Sequence, residues 1–138
     1  MHSDHSFTIL LVDDDPDDIE LVREIVRKLH PGITCLAAEN GLVAIEMLRV
    51  GLNSLPNLVI LDLMMPVLNG EQFLEKMKVD PLLKQIPVIV WSTSNYLSQT
   101  LIEKYNVFLF QKPGRFSEME DLLKSILDDT DLSARLVA

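Results

Sequence analysis

Cysteine is nearly missing from this chain. Cys35 is the only one in 138 residues, which excludes an internal disulfide and a cysteine-built zinc site. Glycine is scarce as well. The 5 glycines form no G-x-G-x-x-G and no P-loop, so the usual backbone cradles for nucleotide phosphates are not present. No apolar run approaches the ~18 consecutive residues of a membrane span. The opening residues, MHSDHS, are polar and carry no secretory pattern, so a cytoplasmic location is expected. Positive charge is in deficit: 12 Lys+Arg face 21 Asp+Glu, a formal net charge of −9. That excess disfavours salt-driven binding to DNA, RNA or anionic lipid. Internal repeats, low-complexity stretches and interdomain linkers are also lacking.

What remains is ordinary globular material, with 48% hydrophobic and 24% charged residues. The length suits one domain able to bury a core without staples. We expect a single domain over 1–138, with its core at about 7–128 and a short C-terminal tail at 129–138.

Five short apolar runs mark the chain: Phe7–Val12, Ile33–Ala38, Leu58–Leu61, Val88–Trp91 and Val107–Phe110. Four of them are apolar nearly throughout, as in parallel strands buried on both faces. The second contains Thr34 and Cys35 and suits an edge strand. Helical spacing separates the runs. Leu21, Val22, Ile25, Val26 and Leu29 define a first helix, with Asp15 as N-cap, Pro16 in its first turn and a stop at His30-Pro31-Gly32. Leu42, Ile45, Met47 and Leu48 define a second that ends before Gly51. A third follows Asn69-Gly70, with Phe73, Leu74 and Met77 on one side. A fourth is predicted near Tyr96–Tyr105, and a last one opens at a Ser117–Glu120 capping box. The order βαβαβαβαβα predicts an α/β fold: a five-stranded parallel sheet, doubly wound by right-handed crossovers.

In such a sheet, ligands bind beyond the carboxyl ends of the strands. The runs end in Asp13-Asp14-Asp15, in Asp62, in Ser92-Thr93-Ser94 and in Gln111-Lys112-Pro113. Gathered carboxylates repel one another unless a cation is bound, and oxygen donors of this kind match Mg2+. For the triple aspartate alone, helix capping explains the residues as well as a metal does. Asp62 resists that explanation, because an ionised carboxylate after Leu58–Leu61 is costly unless paired or metal-bound. A carboxylate, a metal, a lysine and a hydroxyl together suit an anionic phosphoryl group.

Four segments then carry a resemblance. Leu10–Asp14, Leu61–Gly70, Pro87–Thr93 and Gln111–Pro113 resemble, in order and spacing, the receiver domain of two-component response regulators. The resemblance extends from about Phe7 to Asp128 and implies a flavodoxin-like sheet of order 2-1-3-4-5. It implies that Asp62 is the phosphoacceptor and that Asp13 and Asp14, with Asp62, hold Mg2+. Met64 matches the position whose backbone carbonyl binds the ion. Ser92, with Thr93, falls at the phosphate-binding switch hydroxyl; Lys112 is the matching lysine, Pro113 follows it, and Gly70 makes the turn into the third helix. The implied function is not enzymatic in the ordinary sense. It is a phosphoprotein of a two-component regulatory system that supports its own phosphotransfer and autodephosphorylation. Its donor is a sensor histidine kinase or a histidine phosphotransfer protein, and its output is a downstream protein target. A stand-alone receiver, monomeric or weakly dimeric, acts either as an adaptor or as a phosphate shuttle in a phosphorelay, and the sequence leaves both open. The Ser92-Thr93-Ser94 stretch resembles small stand-alone receivers, some of which serve phytochrome-type kinases.

Three departures accompany the resemblance. The switch-aromatic position is occupied by Leu109, between Phe108 and Phe110. The stretch from Ser92 to Lys112 is short, which trims a surface used by many receivers for dimerisation. Met64 is apolar and cannot orient attacking water, so slow autodephosphorylation is expected. An aspartyl phosphatase of the haloacid dehalogenase type fits less well: the place for its acid/base aspartate holds Met64, and no cap domain is inserted. The complete set of Asp13, Asp14, Asp62, Ser92 and Lys112 speaks against a degenerate receiver used only for contact. Asp17, Asp18 and the acidic last helix are expected to be solvated surface. Ile19 fits core and partner docking equally, Trp91 is expected in the core or over the fourth helix, and Cys35 is expected to be a small buried hydrophobe.

Overall fold

The computed structural model describes residues 7–51, 55–65, 68–92, 103–105 and 107–128. The expectations for Thr93, Ser94 and the tail at 129–138 fall outside the described residues, as does most of the predicted fourth helix; residues 103–105 are helical.

Five parallel strands form one sheet in the order β2-β1-β3-β4-β5. They are β1 (Thr8–Val12), β2 (Thr34–Ala38), β3 (Leu58–Asp62), β4 (Val88–Ser92) and β5 (Phe108–Gln111). Among the described residues the helices are α1 (Pro16–Leu29), α2 (Gly41–Glu46), α3 (Gly70–Val79) and α4 (Phe116–Asp128). This is the expected flavodoxin-like, doubly wound arrangement.

Strand alternation divides the core into two layers. Ile9, Leu11, Leu58, Ile60, Ile89 and Trp91 pack with α1 and α4, through Val22, Ile25, Val26, Met119, Leu123 and Ile126. Leu10, Val12, Val59, Leu61, Val88 and Val90 pack with α2 and α3, through Ala44, Ile45, Phe73, Leu74 and Met77. The same alternation sets up the rim. Asp13 continues the Ile9–Leu11 series, Asp62 the Leu58–Ile60 series and Lys112 the Phe108–Phe110 series, so all three belong to the α1/α4 face.

Several expectations need correction. β5 is not buried on both faces; it is an edge strand, and Phe108, Leu109 and Phe110 are only half-buried. The second helix is shorter than its pattern, with α2 passing into a π-helical turn over Met47–Gly51. Leu42 points outward, and Ala44 and Ile45 face the core instead. α4 opens at Phe116, with the Met119 N–H donating to the Arg115 carbonyl at 3.0 Å, so Ser117 lies inside the first turn rather than capping it. Trp91 takes the first of its two expected roles: it is core, packed with α1 and α4. Ile19 is partly buried against that same layer, and Cys35 is half-buried with its thiol pushed up by burial.

The helix starts are set locally. The Asp15 side chain accepts from the Asp17 N–H at 2.9 Å, with Pro16 at the first helical position. Asn40 caps α2 through the Val43 N–H at 2.9 Å. Asn69 and Gln72 cap α3 reciprocally, each contact 2.9 Å.

Candidate functional site

The carboxyl ends of β1, β3 and β5 converge on one rim. Asp13 follows β1 directly and is fully buried; its N–H donates to the Ala38 carbonyl at 3.1 Å, which continues the ladder one residue past the strand. Asp62 is the last residue of β3, paired in register with Trp91, and is buried too. Asp14 is exposed beside them. Carboxylate oxygens of Asp13, Asp14 and Asp62 lie within 4.8 Å of one another.

Lys112 enters this group from the end of β5. Its N–H donates to the Ser92 carbonyl at 2.7 Å, which ties it to the end of β4. Its side chain is only 7% exposed, and its ammonium lies 5.6 Å from the centre of the Trp91 ring. The Nζ donates to Asp13 Oδ2 at 2.7 Å and reaches Asp62 Oδ2 at 3.4 Å. It also meets Asp18 Oδ2 at 2.7 Å.

The other oxygens of Asp13 and Asp62 have local partners. Asp13 Oδ1 accepts from the Asp15 N–H at 3.0 Å, and Asp62 Oδ1 from the Met64 N–H at 3.1 Å. Burial pushes the Asp62 carboxyl up to about 6, and the Asp13 charge adds to this; Lys112 and the Met64 N–H pull it down. Burial by itself would lower Lys112, but its hydrogen bonds to Asp13 and Asp18 outweigh that and hold it above the ordinary lysine range. The lysine is therefore a fixed cation, beside a carboxylate more basic than a solvated aspartate.

Other expected residues frame the rim. Ser92 is buried at the end of β4, and Pro113 is half-buried after Lys112. Met64 is 64% exposed at the mouth of the rim. Gly70 opens α3 against the end of β3: a Cβ there would stand 2.7 Å from Leu63 Cα and 3.1 Å from the Asp62 carbonyl oxygen. Only glycine lets the helix start that close. Leu109 packs against the α2/α3 layer. Asp18 is the correction. It is not solvated surface but a partner of Lys112, in the first turn of α1. Its position three residues after the Asp15 cap, in a helix that starts at the acidic rim, was the available signal.

In chemical terms, three carboxylates with hard oxygen donors suit a divalent cation. A lysine beside them can neutralise an anion held at Asp62.

A doubly wound parallel sheet with an acidic rim and a lysine at the end of β5 defines a class of protein, and the comparisons agree. The chain matches the family model described as response regulator receiver domain over residues 9–130 and belongs to that family. It is 34% identical over 132 residues to the two-component response regulator ARR17 of Arabidopsis thaliana, covering 87% of this chain and 84% of that protein. Its fold matches the phosphorylated cyanobacterial phytochrome response regulator RcpA with a TM-score of 0.80 at 28% identity, over 90% of this chain and 95% of that one. A Mn(2+)-bound form of response regulator Rcp1 matches with a TM-score of 0.78 at 27% identity, over 90% and 96% of the two chains. Receiver domains are signalling domains of two-component systems: they take phosphoryl groups from histidine kinases and act on downstream targets. Among the described residues, no helix is long and apolar enough to cross a membrane.

Proposed function

We propose that this chain acts as a receiver, one unit over about 7–128, in which Asp62 accepts a phosphoryl group from a phosphohistidine. The observation that carries this reading is the convergence of Asp13, Asp14 and Asp62 within 4.8 Å, with the Lys112 ammonium 2.7 Å from Asp13 and 3.4 Å from Asp62. The phosphorylated state of RcpA and the Mn(2+)-bound state of Rcp1 support it by similarity.

An Asp62 carboxylate oxygen attacks phosphorus. The P–N bond of the phosphohistidine breaks, its electron pair returns to the imidazole, and an acyl phosphate forms on Asp62. Later, water attacks phosphorus, inorganic phosphate leaves and the carboxylate is restored. Asp13, Asp14, Asp62 and the Met64 backbone carbonyl would hold Mg2+, which neutralises the phosphoryl oxygens when bound. Lys112 supplies a further positive charge, and Ser92 at the end of β4 supplies a hydroxyl donor, with Thr93 next to it in sequence as a second candidate. The modified Asp62 draws these groups toward it and shifts a two-state equilibrium of the rim. Leu109 stands where other receivers carry a switch aromatic, so in this chain the shift proceeds without a rotating ring.

The donor is a sensor histidine kinase or a histidine phosphotransfer protein, and the readout is a downstream protein rather than nucleic acid or membrane. The chain acts in the cytoplasm as a monomer or weak homodimer, as adaptor or phosphate shuttle. The test is phosphotransfer profiling with labelled kinases and phosphotransfer proteins in Mg2+. Acid-labile, base-labile label on the native chain and none on Asp62→Asn is expected. Folded protein that takes label from no donor, or label that survives Asp62→Asn, overturns the proposal.

A further inference from the structure

Among the described residues, Asp18 is a carboxylate bonded to Lys112 that belongs neither to the acidic trio nor to the acceptor chemistry. We propose that Asp18 is a positioning residue: it holds the Lys112 ammonium on the α1 side of the rim, in competition with the group carried by Asp62. The inference rests on the receiver reading above.

An ammonium has three N–H donors. Two are engaged at 2.7 Å, by Asp13 and Asp18, while Asp62 stands off at 3.4 Å. A distance of 3.4 Å is too long for a strong charge-assisted bond, so the lysine is held back from the acceptor. Its two close partners differ. Asp13 is fully buried and belongs to the trio that can hold a cation; Asp18 is 28% exposed and does not belong to it. A divalent cation on the trio therefore draws off the pull of Asp13 on Lys112 and leaves that of Asp18 intact. Water can solvate Asp18 when the lysine departs, so the tether is releasable. Asp18 thus sets how much of the lysine is available to a phosphoryl group on Asp62.

The chain has one tryptophan, and the Lys112 ammonium lies 5.6 Å from its ring, so Trp91 fluorescence reports the movement of the lysine. The probe is beryllium trifluoride, a phosphoryl mimic, titrated in saturating Mg2+ into the native chain, Asp18→Asn and Asp18→Glu. Asp18→Asn keeps the shape and removes the charge, and it is expected to bind the mimic about fivefold more tightly. Asp18→Glu, which keeps the charge, is expected to stay near the native affinity. The gain persists at high salt, because the bond is short and Lys112 is buried, whereas a long-range field effect would be screened away.

Equal or weaker binding by Asp18→Asn overturns the inference, as does a gain that high salt abolishes or that Asp18→Glu shares. If Asp18→Asn does not fold, Asp18→Ser removes the same charge and carries the same test. A native chain that ignores the mimic, or binds it equally after Asp62→Asn, overturns the receiver reading and this inference with it. Clear Asp62-dependent binding with no Asp18 effect overturns the inference alone.

Discussion

The helix caps and the acidic rim occupy equivalent places, where a strand or loop passes into a helix, yet they are satisfied in different ways. Asp15, Asn40, Asn69 and Asp80 each accept from a backbone N–H two or three residues ahead. Such caps need no partner from elsewhere in the fold. Asp13 and Asp62 also accept a near N–H each, but their outer oxygens turn to Lys112, 99 and 50 residues away. The caps lie exposed or half-buried and satisfy their hydrogen bonds locally. At the rim Asp13 and Asp62 are buried, and among the described residues it holds more negative charge than Lys112 balances. Polarity that is locally complete stabilises a helix start, whereas polarity left incomplete by the chain around it is where a cation and an anion can be received.

The largest expected effect lies at the acceptor. Asp62→Asn eliminates phosphoryl transfer while keeping the fold, as measured by label incorporation and by the circular dichroism spectrum. Retained label would mean that the rim is only another set of caps.

Next is the lysine. Lys112→Met leaves Asp13 and Asp62 buried without their cation and lowers metal-free stability by about 3 kcal/mol. Mg2+ then restores part of that loss, because it replaces the missing charge. Urea unfolding with and without chelator checks both; an unchanged midpoint would show that the three contacts contribute nothing.

Gly70 tests whether the rim tolerates a shift of α3. Gly70→Ala forces a Cβ against Leu63 and the Asp62 carbonyl and is expected to cost about 2 kcal/mol. Gly32→Ala serves as the contrast, because a Cβ there meets nothing within 4 Å.

The rim responds to pH where the caps do not. Folded Asp62 holds its proton up to about pH 6, against about 3.9 in the unfolded chain. The folded state therefore binds the extra proton between these values. The contribution of Asp62 to stability rises as pH falls through 6 toward 4 and is lost as pH rises above 6. In chelator, the native chain should gain about 1 kcal/mol relative to Asp62→Asn between pH 7.5 and pH 4.5, after discounting for solvent screening. A difference that stays flat with pH counts against the burial effect.

The smallest effect belongs to the caps. Asn69→Ala removes half of a reciprocal cap and costs about 1 kcal/mol, equally with and without Mg2+. A Mg2+-dependent cost would blur the distinction between cap and rim.

Much of this molecule was legible in the chain itself. Leu58–Leu61 and Val88–Trp91 read as doubly buried strands because nothing polar interrupts them, and Asp15-Pro16 read as a helix start because capping is a matter of near neighbours. β5 misled for the same reason: its apolar run resembles a central strand, and only its place at the sheet edge leaves Phe108–Phe110 half-exposed. Leu42 satisfied a helical spacing that the short α2 does not use.

By itself, the sequence determined the order of strands and helices, the two-layer alternation, the caps, and the candidacy of Asp13, Asp14, Asp62 and Lys112. These follow from residue types at short spacings, where local sterics and burial period decide. Tertiary structure alone decided that Lys112 lies closer to Asp13 and Asp18 than to Asp62, and that Asp62 is buried enough to hold a proton near pH 6. Those facts depend on distances between chain segments far apart in sequence and on how much water the fold leaves between them, and no short spacing encodes either.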